Sequence, residues 1–230
     1  MLALLAGYLV YGYQGRVTFR SRALAYSGQG LPFHFGLSKS HTQHAPRGSM
    51  FDRDRFIVDC QSALREGAGY KAVREVIARA VSEPAAVLEE LGAPQRSGVE
   101  PLYRSDHLTI LNVIWGKQMT IMPHNHRMWA VIGVYTGRED NILWRRLAGE
   151  AKGRIEAVGA KALVERDAFP LGRDVIHSVT NPIPRLTGAI HVYGGNFFEI
   201  ERSEWDPETL LERPYDVEKN MRLFEEANNG

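Results

Sequence analysis

The chain has 230 residues, 28 of them Lys or Arg and 27 Asp or Glu, for a net charge of +1. It is long enough to bury a full core in one domain, and its balanced charge gives no electrostatic case for a nucleic-acid or membrane partner. A lone cysteine, Cys60, excludes an intrachain disulfide and a Cys-rich zinc site, and points to a reducing, cytoplasmic setting.

The balance conceals an uneven start. Residues 1–49 contain no Asp or Glu but carry Arg16, Arg20, Arg22, Lys39 and Arg47, which leaves 23 basic and 27 acidic residues in the remainder. The apolar stretch Met1–Tyr13 is too short for a membrane span and lacks the basic flank of a signal peptide. Met50 is a candidate start. Residues 1–49 are therefore expected to be an atypical leader or extension, peripheral or disordered, ahead of a domain over 50–230.

Helical periodicity begins at Phe51. Asp52 or Asp54 can cap a helix over Arg55–Glu66, with Phe56, Cys60, Ala63 and Leu64 on one face. Cys60 is expected to be a packed thiol rather than a nucleophile. Gly67 and Gly69 break the run. A second helix over Tyr70–Val81 carries the stripe Val73, Val76, Ile77 and Ala80. Ser82 can cap a third, with Pro84 in its first turn, ending near Leu91-Gly92. These helices form a cap over 52–92.

At Val99 the period changes from helical to extended. Val99–Arg104, His107–Trp115, Met119–Met122, Met128–Tyr135, Asn141–Leu147, Arg154–Val158, Lys161–Glu165, Val175–Thr180 and Gly188–Tyr193 read as strands. Turn residues at Gly116-Lys117, Thr136-Gly137-Arg138, Leu147-Ala148-Gly149 and Asn181-Pro182 separate them. Short strands with no helices between them predict an all-β antiparallel sandwich or barrel over 99–198. A polar tail over 199–230 ends in a helix from Val217 to Ala227. P-loop and dinucleotide fingerprints are absent.

The chemistry lies in the histidines. His124 and His126 stand two residues apart, the spacing that places side chains on one face of a strand. On a strand starting at Pro123, an inward His124 and His126 bring Met128, Ala130, Ile132 and Val134 to the same face. His177 sits on a later strand. His191 and Tyr193 share a face of the one after it. His107 reads as a surface residue at a strand start. Spacing alone does not choose which three histidines bind a metal. Three neutral imidazoles leave coordination positions open, so zinc hydrolysis, iron oxygenation and nickel or manganese chemistry are all compatible with the residue types.

The segments Pro123-His124-Asn125-His126, Trp129–Gly137, His177-Ser178-Val179-Thr180-Asn181 and His191-Val192-Tyr193 together resemble the cupin superfamily, and within it the cysteine dioxygenase-like thiol dioxygenases. The resemblance spans roughly residues 70 to 198. It implies a double-stranded β-helix, or jelly roll, with an N-terminal helical cap and a C-terminal helix. It implies Fe(II), or another divalent transition metal, held by His124, His126 and His177. The usual cupin glutamate is missing, since Ala130 and Val131 occupy its region, as in the three-histidine thiol enzymes. His191 and Tyr193 resemble the histidine–tyrosine pair beside the substrate. The implied activity is oxidation by O2 of a small thiol, cysteine or a mercaptoacid, to a sulfinate, by a monomer or small homo-oligomer.

Two positions depart from that family. Ala189 stands where a serine would orient His191. The expected substrate-binding arginine is matched only by Tyr103-Arg104-Ser105-Asp106, displaced by one residue; a one-residue displacement on a strand changes the face, although a bulge can restore it. Arg127, Arg145 and Arg173 are alternatives to Arg104. A metal-dependent cupin acting on a non-thiol, or a non-catalytic binding cupin, competes with the thiol dioxygenase.

Overall fold

A computed structural model describes residues 51–67, 69–149 and 153–229. The expectations for residues 1–49 lie outside the described residues.

Three helices come first: α1 (Arg53–Arg65), α2 (Gly69–Val81) and α3 (Pro84–Leu91). Asp52 caps α1, its carboxylate accepting from the Arg55 amide at 2.6 Å. Ser82 does not cap α3. Glu83 occupies the cap position without a side-chain bond, and the Ser82 hydroxyl instead donates to the Arg79 carbonyl at the end of α2. Pro84 still fits the first turn, where its missing N–H costs nothing.

Eleven strands follow among the described residues: β1 (Gly98–Arg104), β2 (Thr109–Trp115), β3 (Thr120–Asn125), β4 (Ala130–Thr136), β5 (Arg138–Arg146), β6 (Ile155–Val164), β7 (Ala168–Leu171), β8 (Ile176–Thr180), β9 (Thr187–Tyr193), β10 (Ser203–Trp205) and β11 (Glu212–Pro214). They form a five-stranded sheet, β1-β2-β9-β4-β7, and a six-stranded sheet, β11-β10-β3-β8-β5-β6, with every ladder antiparallel. Helix α4 (Val217–Glu226), capped by Asp216, closes the order. This is an all-β jelly roll with helices before and after the strands; the strand count and period change predicted its antiparallel all-β core, and the family resemblance the jelly roll and flanking helices.

Alternation along β4 places the core. Ala130, Ile132 and Val134 join Leu111, Val113, Ile121, Leu163 and Val179 between the sheets. Val131 and Tyr135 face the other way, into a second cluster with Val73, Val76, Ile77 and Val81 of α2. The five-stranded sheet is thus buried on both faces, which explains why β4 is apolar throughout rather than alternating. Gly133 marks the closest approach of α2, because a Cβ there would stand 2.3 Å from the Ile77 side chain. Cys60 lies fully buried in this second cluster, and burial followed by the Asp59 charge pushes its thiol pKa up to about 12. It is the packed thiol expected.

Three local readings need correction. The strand expected to run on from Pro123 is broken: β3 ends at Asn125 and β4 begins at Ala130, with Arg127 in the left-handed region at φ 56°. The two strands expected over 154–165 are the single strand β6, which continues through Gly159. The tail is not merely polar. It contains β10 and β11, and Trp205 is fully buried against Ile155 and Ile176.

Candidate metal centre

The six-stranded sheet brings the histidines together. His124 on β3 is the direct cross-strand partner of His177 on β8. His126 lies just past the end of β3, in the turn that Arg127 closes. All three are buried, and one ligating nitrogen from each lies within 4.8 Å of the others. Met128, Ala130, Ile132 and Val134 face the same interior, so the predicted common face holds even though the strand does not.

Hydrogen bonds on the far side of two rings fix their tautomers. His124 Nδ1 lies 3.0 Å from the Met122 carbonyl, and His177 Nδ1 lies 2.7 Å from Asn141 Oδ1. Both partners accept, so both Nδ1 atoms carry the proton and both Nε2 atoms present a lone pair. The Nε2 of His126 stands 3.2 Å from that of His124 and 3.1 Å from that of His177. Two nitrogens that are each about 2.1 Å from one ion stand about 3–3.4 Å apart in octahedral or tetrahedral geometry. Donor set, tautomers and spacing fit a divalent transition metal. A proton on His126 Nε2 can bridge the cluster, and metal binding would displace it.

Burial also disfavours protonation. The His124 pKa falls to about 4, chiefly through desolvation, partly offset by the bond to Met122 and reinforced by Arg202. His126 and His177 are held well below the ordinary value by burial and then by the neighbouring histidines. In the metal-free protein, stability from these neutral rings is complete above the unfolded pKa near 6.5 and lost as pH falls toward 4. The unfolded chain binds the protons first. His124 alone contributes about 3 kcal/mol over that window. The urea midpoint of chelator-treated protein is expected to drop clearly between pH 7 and pH 5; a flat profile would contradict this burial.

Facing the histidines from the five-stranded sheet are His191 and Tyr193 on β9, opposite Ile132 and Ala130 of β4. His191 Nδ1 meets the Tyr193 hydroxyl at 3.1 Å. The Tyr193 ring stands edge-on to His126, with centroids 5.0 Å apart. Burial raises the Tyr193 pKa far above its ordinary value, opposed by Arg202, so the phenol stays protonated. His191 is oriented by a residue that sequence reasoning missed: Glu139 on β5, fully buried, 3.2 Å from His191 Nε2. It takes over where Ala189 cannot hydrogen-bond. Burial raises the Glu139 pKa, but the neighbouring His191 and hydrogen bonds from His191, Asn141 and Trp115 together hold it below the usual carboxylate value.

His124, His191 and Tyr193 line a cavity of about 120 Å³, closed by Phe197, Arg202, Tyr215 and the α4 residues Val217, Asn220, Met221 and Phe224. Phe224 stacks on Trp115, with centroids 5.4 Å apart. Outside lies a groove of about 1160 Å³ that shares Phe198, Arg202, Tyr215 and Val217 with the cavity. The smaller space is the one that reaches the cluster, through His124.

The arginines sort differently from the sequence reading. Arg104 is exposed, bonded to Asn196 at 3.1 Å and Glu199 at 2.6 Å, and does not line the cavity. The β1 ladder does carry an irregularity, between Pro101 and Tyr103. Arg145 pairs with Glu156 on the surface, and Arg127 and Arg173 line the outer groove. The cavity's arginine is Arg202. Its guanidinium lies over Phe197 at 3.9 Å and Tyr215 at 4.2 Å, its Nη1 donates to the Phe197 carbonyl, and its buried Nε has no hydrogen-bond partner among the described residues. His107 is exposed, as expected.

No family model matches the sequence. Solved structures with partial likeness include a protein from Bacillus halodurans, 17% identical, covering 44% of this chain and 72% of that one at a TM-score of 0.37. An RmlC-like cupin family protein with a double-stranded β-helix fold from Methanocaldococcus jannaschii is 12% identical over 46% of this chain and 86% of its own, at a TM-score of 0.37. The manganese-containing oxalate decarboxylase of Bacillus subtilis is 14% identical over 45% of this chain but only 26% of its own, at 0.35. On its own topology and side chains, the chain is an all-β jelly roll with a buried three-histidine cluster able to hold a metal ion.

Proposed function

We propose that this protein is a metal-dependent enzyme acting on a small anionic molecule bound between the histidine cluster and Arg202. The observation that carries this reading is the placement of His124 and Arg202 in the wall of one small, otherwise largely apolar cavity. A guanidinium stacked between two rings, with a buried Nε left unpartnered, is arranged to receive a carboxylate or similar anion in a fork. The three histidines would hold the ion, and a bound ion would supply open coordination positions and Lewis acidity.

The residues of the chain do the rest. Arg202 binds and orients the anionic end. Phe197, Tyr215 and α4 exclude water. Tyr193 offers a hydrogen-bonding hydroxyl beside the cluster, held by His191. Absence of a carboxylate from the ligand set, together with the His191–Tyr193 pair, favours one particular reaction: Fe(II)-dependent oxidation by O2 of a small thiol, cysteine or a mercaptoacid, to a sulfinate. Tyr193 and His191 would then be the catalytic pair. A reducing cytoplasm, consistent with the single cysteine, would keep both substrate and iron in the needed states.

Anaerobic loading with Fe(II), followed by oxygen uptake against matched carboxylates with and without a thiol, tests both levels. Uptake confined to thiols supports the dioxygenase. Turnover of a non-thiol keeps the metal enzyme and removes the thiol chemistry. Protein with stoichiometric metal and no turnover of any small anion would overturn the proposal.

A further inference from the structure

Glu139 connects two parts of the site that the sequence keeps far apart. Its Oε1 accepts from Asn141 Nδ2 at 3.0 Å, and its Oε2 accepts from Trp115 Nε1 at 2.8 Å and faces His191 Nε2 at 3.2 Å. An ionised carboxylate only accepts hydrogen bonds. Each group facing Glu139 must therefore present hydrogen to it, and that requirement passes outward along two branches.

Along the first branch, the Asn141 amide must turn its NH2 to Glu139, so its carbonyl faces His177 Nδ1, 2.7 Å away. His177 then carries its proton on Nδ1 and keeps its Nε2 lone pair for the cluster. Along the second, His191 must carry hydrogen on Nε2. In the neutral ring this leaves Nδ1 as an acceptor, so the Tyr193 hydroxyl 3.1 Å away donates to it. The phenol's only hydrogen is then committed to His191, and its oxygen lone pairs are what it can offer the cavity.

We propose that Glu139 is the positioning residue of the centre, a single buried carboxylate that sets the proton positions on a metal ligand, His177, and on the cavity tyrosine, Tyr193. This rests on the metal-centre reading but on no particular substrate. It assigns to Glu139 a task unlike that of the usual cupin glutamate: it never reaches the ion, and acts only through Asn141 and His191. A neutral amide in its place cannot serve both branches: Trp115 Nε1 can only donate, so the amide oxygen must face Trp115 and His191 while its NH2 opposes the Asn141 donor.

The test is the tautomer of each ring, read from long-range ¹H–¹⁵N correlation spectra of the metal-free and the Zn(II)-loaded protein, with zinc stoichiometry measured on the same samples. Wild type is expected to show His191 as the Nε2–H form and His177 as the Nδ1–H form. Glu139→Gln is expected to keep its amide oxygen on Trp115 and His191 and to turn its NH2 to Asn141, so that His191 keeps its tautomer, His177 shifts toward Nε2–H in the metal-free protein, and zinc binding weakens by roughly 10-fold. Tyr193→Phe is expected to leave the His191 tautomer in place. A wild-type His191 in the Nδ1–H form overturns the proposal without any variant, and so does an unchanged His177 in folded, metal-free Glu139→Gln. A purely structural glutamate would lower stability while leaving both tautomers as they were. Failure of wild type to bind zinc would instead count against the metal centre, since the metal-free spectra still report the His191 and Tyr193 branch.

Discussion

The His177→Ala protein is expected to be isolated folded but without metal, with affinity for a divalent transition ion lowered by well over 100-fold. Loss of a hydrogen bond that merely supports a ligand already weakens a site by about 10- to 100-fold, and here the ligand itself goes. Two features make His177 the most informative of the three. It is the direct cross-strand partner of His124, so its Nε2 is placed by the sheet register rather than by a loop. Its Nδ1 is held by Asn141, so its lone pair is already aimed. The fold should survive, because alanine on β8 leaves the ladder intact. Metal content by elemental analysis, beside the circular dichroism of the same preparation, reads both outcomes. Full metal occupancy in His177→Ala would show that the ion, if any, sits elsewhere.

The second large effect concerns Arg202. Arg202→Met keeps much of the aliphatic stem and removes the fork. It is expected to raise KM for a carboxylated substrate by roughly 10- to 100-fold, the range that follows from losing a hydrogen bond to a charged group. A matched molecule lacking the carboxylate should be affected little, so the preference between the two collapses. Arg202→Lys should recover only part of the preference, because an ammonium neither forks nor stacks between Phe197 and Tyr215 as a guanidinium does. Steady-state kinetics on such a pair decides it. If the preference survives in Arg202→Met, the anion is recognised by another residue, and the arginines of the outer groove become the next candidates.

The histidine cluster was legible because its signals are local and periodic. His124 and His126 are two residues apart, and His177, His191 and Tyr193 lie in apolar runs whose strand character is plain. What the sequence hid is instructive. Glu139 and Asn141 follow the Thr136-Gly137 turn in a run of charged residues, Arg138-Glu139-Asp140-Asn141, that reads like a solvated hairpin end. Starting the strand at Asn141 obscured the period. With β5 beginning at Arg138, Glu139, Asn141 and Leu143 share one face, and that face points inward. Alternation was the available signal, inverted because polar residues occupy the buried side. Arg202 and Tyr215 sit in a stretch without helical or strand periodicity, and only pairing of the short β10 with β3 and β11 draws it over the cavity. Strand β7 was missed for a similar reason: it is four residues long and contains Pro170.

Helix α4 gives the site a consequence in time as well as in space. Every proposed ligand precedes it in the chain, and β3 and β8 pair without it, whereas Val217, Met221 and Phe224 complete the cavity wall only once the helix has docked. Its docking is secured by the buried Glu204, which accepts from Asn220 at 3.0 Å while Arg213 pairs with the same carboxylate. A folding order in which the sheets close first leaves the cavity beside His124 and His191 open until this last helix settles. In such an order, metal arriving during that interval would meet the paired ligand strands before Val217, Met221 and Phe224 complete the wall.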